Sequence, residues 1–278
     1  WDDHEIIDNA YKDGTTGDNP VIGSSWPDRK AAAIQAYSEW IPIRDQEPKA
    51  RIWRALSYGS LADLVFLDTR LWGREQQVPE EDPRRIDPAR QMLGADQEAW
   101  LRDRLRSGTA KWKLVCQQMM MVEVPQGFRV DGWDDYPAAR NRFFDILEGA
   151  GTSPAAPLSN VVVLSGDVHS SWASDLARTP ADPATYDPAT GRGSLAVELI
   201  TPAISSPGTE GQTGDQFTSK ASWIKLAELE KRGFILLDIT EERVHGAWFH
   251  IDSDVIEREA RGPITFAAGF ATYSGTNH

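Results

Sequence analysis

Apolar and polar positions along this chain fall into blocks of changing period. Short apolar runs at 61–68, 112–118, 160–165 and 195–200 are bounded by polar or Gly/Pro-containing stretches, the mark of buried strands. Residues 95–106 have helical spacing, with Trp100, Leu101 and Leu105 on one side and Gly108 as a stop. Residues 137–147 predict a second helix, opened by Pro137 and apolar at Phe143, Phe144 and Leu147. A third helical stretch, near 30–40, sits inside a segment (9–50) rich in Gly, Pro, Asp and Ser that reads as a long functional loop. Residues 73–94, charged and carrying Pro79, Pro83 and Pro88, read as a surface loop, and 222–231 as a helix. Two strands, 233–239 and 244–251, are joined by Thr240-Glu241-Glu242-Arg243 into a hairpin. Strands alternating with helices, then an antiparallel pair, predict an α/β fold with a mixed sheet. Nothing marks a repeat or a linker, so the expectation is one domain over 1–278.

Composition narrows the function classes. The 278 residues suffice for a sizeable core, and 40% hydrophobic with 26% charged residues is ordinary for a globular protein. The net charge of −13 argues against a general nucleic-acid footprint. It leaves a phosphate substrate open, because a bound cation reverses the local field. The lone Cys116, inside an apolar strand, rules out an internal disulfide and reads as buried and inert. No apolar run reaches the ~18 residues that span a bilayer, and no basic-then-apolar leader opens the chain. With Trp and not Met as first residue, the expectation is an internal fragment or processed product.

Two polar clusters stand out. The chain opens Trp1-Asp2-Asp3-His4-Glu5, and Ser165-Gly166-Asp167-Val168-His169-Ser170-Ser171 directly follows the apolar Val161-Val162-Val163-Leu164. A strand ending in Gly-Asp-x-His projects an acid and an imidazole from the edge where open α/β sheets carry their ligands. That donor pair suits a hard or borderline metal. Each cluster also has a plain reading: a charged turn in the first case, a strand end satisfying nearby backbone in the second. Burying an acid and an imidazole without partners is costly, which favours a site. Met119, Met120 and Met121 read as core, while Arg84, Arg85 and Arg90 read as a solvated face. His245 reads as solvated, His250 as a strand side chain, and His278 as a disordered terminus.

Further motifs run in the same order almost end to end. They are Arg51-Ile52-Trp53-Arg54-Ala55-Leu56-Ser57-Tyr58-Gly59, Leu64-Val65-Phe66-Leu67-Asp68-Thr69-Arg70, Trp112-Lys113-Leu114-Val115, Asp131-Gly132-Trp133-Asp134-Asp135-Tyr136, Thr201-Pro202-Ala203-Ile204-Ser205-Ser206, and Arg232-Gly233-Phe234 leading to Trp248. Jointly with the two clusters, they make the chain resemble the alkaline phosphatase D (PhoD-like) family of calcineurin-like metallophosphoesterases. The resemblance implies an α/β/β/α sandwich with mixed sheets, incomplete at the N-terminus, of which this chain is the C-terminal portion of the catalytic domain. It implies a metal-dependent phosphoesterase in which Asp3, Asp167 and His169 are metal ligands. His4, with Asp2 beside it, takes the catalytic part, donating a proton to the leaving oxygen. Gln117 or Gln118 stands near the position of another ligand. Trp133, Asp134 and Tyr136 line the substrate cleft. Two or more metal ions are implied, iron and calcium among them, with a small-molecule or polymeric phosphate ester as substrate, a monomeric state and export from the cytoplasm.

The chemistry needs such residues. A phosphate ester is anionic and repels hydroxide, and paired cations lower the pKa of a water while neutralising the entering and leaving oxygens. A nearby His serves as acid near neutral pH. Family members carry further ligands upstream of the Trp-Asp-Asp-His-Glu motif, and none of these lies in this chain, which would leave Asp2, Asp3 and His4 at a frayed end. The alternative expectation is therefore a truncated, catalytically inactive fragment with at most weak cation binding. A serine esterase acting through Ser165 or Ser170 is opposed by the lack of a Gly-x-Ser-x-Gly elbow.

Overall fold

A computed structural model describes residues 1–17, 25–125, 128, 131–151, 156–209, 211–251 and 263–278. Residues 18–24 of the expected functional loop lie outside the described residues. The remainder of that stretch holds a two-strand ribbon, β1 (Ala10–Tyr11) and β2 (Gly14–Thr15), and helix α1 (Trp26–Trp40) capped by Ser25. Strands β3 (Arg54–Tyr58) and β4 (Ala62–Phe66) follow, then α2 (Ala95–Ser107), β5 (Trp112–Cys116), α3 (Pro137–Glu148), β6 (Val161–Ser165), β7 (Ser171–Ala177) and β8 (Ser194–Ile200). The chain continues through the one-turn α4 (Asp215–Thr218), β9 (Ile224–Glu228), β10 (Arg232–Ile239), β11 (Arg243–Ile251) and β12 (Ile264–Tyr273).

The fold is α/β. Seven strands form one mixed sheet in the order β3-β4-β5-β6-β8-β7-β9, with β4, β5, β6 and β8 parallel and β3 and β7 reversed. Strand alternation sends side chains to two cores. Val65, Val115, Val161, Val163 and Ile200 join Leu101, Leu105, Phe143, Phe144 and Leu147 of α2 and α3 on one face. Leu114, Val162, Val197 and Leu199 face the other way, onto Val244 and Trp248 of the antiparallel β10-β11-β12 sheet. The two helices are set by their ends. Asp96 and Glu98 begin α2 and Arg104 and Arg106 finish it, matching its dipole. Pro137 starts α3, and Gly149, at φ 76°, closes it. No described helix is long and apolar enough to cross a membrane.

Several expectations need correction. The segment 222–231 is not helical: it contains β9, paired with β7 across a bulge, because tertiary pairing overrides the helix-forming Lys225, Leu226, Ala227 and Glu228. The stretch 73–94 has only a 3-10 turn, Pro83–Ile86, yet it is no solvated loop, since Arg74, Val78, Met92 and Leu93 are buried. Arg90 is buried too, donating to the Asp135 and Gln76 carbonyls (3.2 and 2.6 Å) with its guanidinium 4.4 Å from the centre of the Tyr136 ring. Arg84 does stay on the surface, paired with Asp82. The exposed His278 ring rests against Gly191, where an added Cβ would collide with it. The three methionines are core, and His250 is a buried strand side chain 2.9 Å from Ser171 Oγ.

Candidate active site at the strand ends

The parallel strands β4, β5 and β6 finish at one edge, and the turns that follow them build the site. After β4, the fully buried Asp68 closes its own turn: Oδ1 accepts from the Arg70 and Leu71 backbone N–H groups at 2.9 and 2.8 Å. Its Oδ2 accepts from Trp1 Nε1 at 3.0 Å, and the Gln97 amide bonds the Asp68 backbone on both sides (2.8 and 2.9 Å). Burial pushes the Asp68 carboxyl up, and these donors pull it back. The bond to Trp1 also fixes the first residues. Trp1 packs edge-on against Tyr37 with centroids 5.0 Å apart, and Ile6, Ile7 and Leu71 complete that cluster. The amino-terminal motif is therefore seated and not frayed.

The Asp68 turn aims Arg70 into a ring of acids. Its guanidinium has no solvent exposure (0%). Nε donates to Asp2 Oδ1 (2.7 Å), Nη1 to Asp131 Oδ2 (2.7 Å) and Nη2 to Asp167 Oδ1, with Asp3 Oδ2 3.9 Å away. Arg74 binds the other oxygen of Asp131 and reaches Tyr136 Oη at 3.2 Å. Asp3, 5% exposed, accepts the Asn9 N–H at 2.9 Å.

After β6, the Val168 N–H reaches back to the Gly166 carbonyl (2.8 Å) across Asp167 at φ 68°, a strained γ-turn. His169 follows at φ 53°, also left-handed. Such conformations cost roughly 1–3 kcal/mol each in non-glycine residues. Burial pushes the Asp167 carboxyl up, Arg70 opposes that, and Asp2 and Asp131 add to the rise.

The structure brings together carboxylate oxygens of Asp2, Asp3 and Asp167, all within 4.8 Å of one another, and a second group of Asp3, His4 and Asp8 on the same criterion. His4 is open to solvent, with Nε2 3.8 Å from Asp3 Oδ1. His169 belongs to neither group among the described residues. Its Nδ1 lies 3.1 Å from the Pro207 carbonyl, and a neutral ring donating there leaves Nε2 as the free acceptor. Counting Asp2, Asp3, Asp131 and Asp167 against Arg70 and Arg74, four carboxylates face two guanidinium groups and leave a formal excess of two negative charges. Converging carboxylates of this kind fit a hard, oxygen-seeking cation, and nothing in the donor set singles out iron.

Other expected residues sit elsewhere. Trp133 and Tyr136 are fully buried: Trp133 Nε1 donates to Gln117 Oε1 (3.1 Å) and Tyr136 Oη to the Glu75 carbonyl (2.6 Å), so neither presents a surface to a ligand. Asp134 pairs with Arg140 and accepts the Val124 N–H at 2.9 Å, lining a separate cavity with Glu123 and Phe128. The Gln117 amide is taken up by Ser165 and Met119, and that of Gln118 by Thr69 and Leu67. Ser165 Oγ donates to buried Glu198 (2.6 Å) and Ser170 Oγ to the Val168 carbonyl (2.9 Å), which leaves neither hydroxyl free as a nucleophile. Cys116 is half-buried beside the cavity that Trp1 and Gln118 line, and burial pushes its thiol up to about 12. Sequence reasoning left Arg70 and Asp131 without a role, although both lie in motifs quoted for the family. The signal that could have found them is a charged residue in each motif beside a strand end. A cavity of ≈580 Å³ opens beside Trp1 and Gln118, walled by Tyr37, Arg44, Arg54 and Phe66.

Comparison with known proteins identifies relatives of the chain. The sequence profile of the PhoD-like phosphatase family matches residues 1–248. Alkaline phosphatase D of Bacillus subtilis (strain 168) is 38% identical over 191 residues, which is 63% of this chain and 31% of that protein. The solved structure of PhoD matches with a TM-score of 0.81 at 30% identity, covering 99% of this chain and 52% of that one. The chain thus spans 31% of the length of the first relative and 52% of the second.

Proposed function

The chain belongs to the PhoD-like phosphatase family, and from that premise we propose that it is the C-terminal portion of a metal-dependent phosphoesterase domain of an exported enzyme, acting on phosphate mono- or diesters. The observation that carries this reading is the convergence of Asp2, Asp3 and Asp167 oxygens at the strand ends. These three are the groups that would hold a cation; His169 stands outside both clusters and joins them only as a ligand the family resemblance implies. A bound cation would supply a lowered water pKa and neutralise charge on the phosphoryl oxygens.

The chain's own residues do the rest. Arg70 and Arg74 fix the acids at their working separations, and Asp68 with Gln97 fixes Arg70. His4, solvent-facing beside Asp3, would pass a proton to the leaving oxygen. The open cavity beside Trp1 gives room for the organic part of an ester.

A second reading has its own support. Arg70 partners Asp2, Asp131 and Asp167 directly, so the cluster is held without any cation. On that reading the chain folds and does not turn over.

Hydrolysis of p-nitrophenyl phosphate and its bis-ester, with EDTA and with Ca²⁺ or Mn²⁺ added back, separates the two. The first reading expects turnover abolished by EDTA, restored by cation, and lowered roughly 100-fold or more by Asp167→Asn or His169→Ala. Chelator-insensitive turnover would overturn it. Cation binding without turnover selects the second.

A further inference from the structure

We propose that Arg70 is the resident counter-charge of the acid cluster, a positioning residue whose guanidinium competes with an incoming cation for the same carboxylate oxygens. The inference deepens the phosphoesterase reading and takes its cation site from it.

Arg70 is fully buried, and Asp2, Asp131 and Asp167 surround its charge, with Asp3 Oδ2 at 3.9 Å. Asp2 and Asp167 are also two of the three acids whose oxygens lie within 4.8 Å of one another. A hard cation seated among those oxygens must draw on carboxylates already engaged by the arginine. A guanidinium is permanently charged and meets carboxylates through a rigid fork, so it fixes their directions as well as their charge. Among the described residues, Arg74 is the other guanidinium paired with these four acids, and it pairs with Asp131, so without Arg70 the mutual repulsion of the acids would be largely unopposed. The cluster can therefore fold free of metal, at the expense of weaker cation binding. The arginine cannot be withdrawn cheaply, because Asp68 Oδ1 accepts its backbone N–H and the Gln97 amide in turn holds the Asp68 backbone.

Calorimetric titration of calcium chloride into wild type, Arg70→Met and Arg70→Lys, paired with thermal unfolding in EDTA and in excess Ca²⁺, tests this. In EDTA, R70M should unfold at a lower temperature than wild type, and Ca²⁺ should restore more of its Tm. Its Ca²⁺ Kd should be tighter by roughly tenfold or more, since a positive charge beside the site is gone. R70K keeps the charge without the fork, so its Tm in EDTA should fall between the two and its Kd should stay near wild type. An R70M that is unfolded in EDTA and folds when Ca²⁺ is added supports the same conclusion. A merely structural arginine would lower Tm equally with and without Ca²⁺ and leave Kd unchanged, which overturns the proposal. So does Ca²⁺ binding by none of the three proteins, or an R70M unfolded in both conditions beside an R70K indistinguishable from wild type. Ester hydrolysis by wild type is measured separately. If no cation gives turnover, the phosphoesterase reading falls while the calorimetric comparison still decides the role of Arg70.

Discussion

At the residue scale, the informative positions are those whose surroundings oppose their chemistry. Asp167 and His169 hold left-handed backbone, and Arg70 holds a charge in full burial. Glu198 is a third case. It is fully buried on β8, accepts the Met121 and Val122 N–H groups and the Ser165 hydroxyl, and burial pushes its carboxyl up to about 7 from 4.5. A folded-state pKa raised above the unfolded one gives stability that is complete below about pH 4.5 and lost as pH rises through about 7. Urea unfolding of wild type should therefore weaken between pH 5 and 8, by up to roughly 3 kcal/mol, and Glu198→Gln should remove that slope. Taking the difference between the two proteins isolates Glu198 from Asp167, which burial also shifts upward. Asp2, Asp3, His4, Asp167 and His169 stood out in the sequence because acids and imidazoles cluster there, one cluster directly after an apolar strand, whereas Asp131 did not. Arg70 was not legible, because a single arginine after an apolar strand has no evident role until chain-distant acids are seen to enclose it.

At the scale of the element, legibility followed periodicity. Both α2 and α3 announced themselves through apolar spacing and through Gly108 and Pro137 at their ends, and the structure ends them there. Strand β7 escaped because every one of its residues is buried, which leaves no alternation to detect. Strand β9 was misread because its residues favour helix and only its pairing with β7 decides otherwise. Packing on α3 makes a second prediction. Phe143 is buried with its ring 6.1 Å from those of Trp133 and Phe144, so Phe143→Ala should cost about 3–5 kcal/mol in urea unfolding. Because Trp133 holds Gln117 beside the strand ends, the same change should lower ester turnover per folded molecule, measured well below the unfolding midpoint.

At the scale of the whole molecule, the α/β class and the mixed sheet were readable from the succession of elements. The second sheet was only half visible, as a hairpin, since its third strand, β12, comes from farther along the chain and its pairing with β11 appears only in the structure. That sheet is pinned by Trp248, fully buried, whose Nε1 donates to the Ile200 carbonyl at 2.9 Å. Trp248→Ala should cost about 3–5 kcal/mol. Hydrogen exchange should quicken in β10, β11 and β12 while α2 and α3 keep their protection.

The anchoring of Trp1 to Asp68 carries a consequence for how the molecule is assembled. The three converging acids enter from positions 2, 3 and 167, so the pocket they form is closed by more than half of the polypeptide. A cation seated there would act as a clasp, and its binding energy would be shared by everything the clasp encloses. Proteolytic nicking in the stretch between α1 and β3 would turn that closure into an association between two pieces, forfeiting the high effective concentration of an unbroken chain. The large sheet would survive such a cut; the ion grip would become dependent on protein concentration.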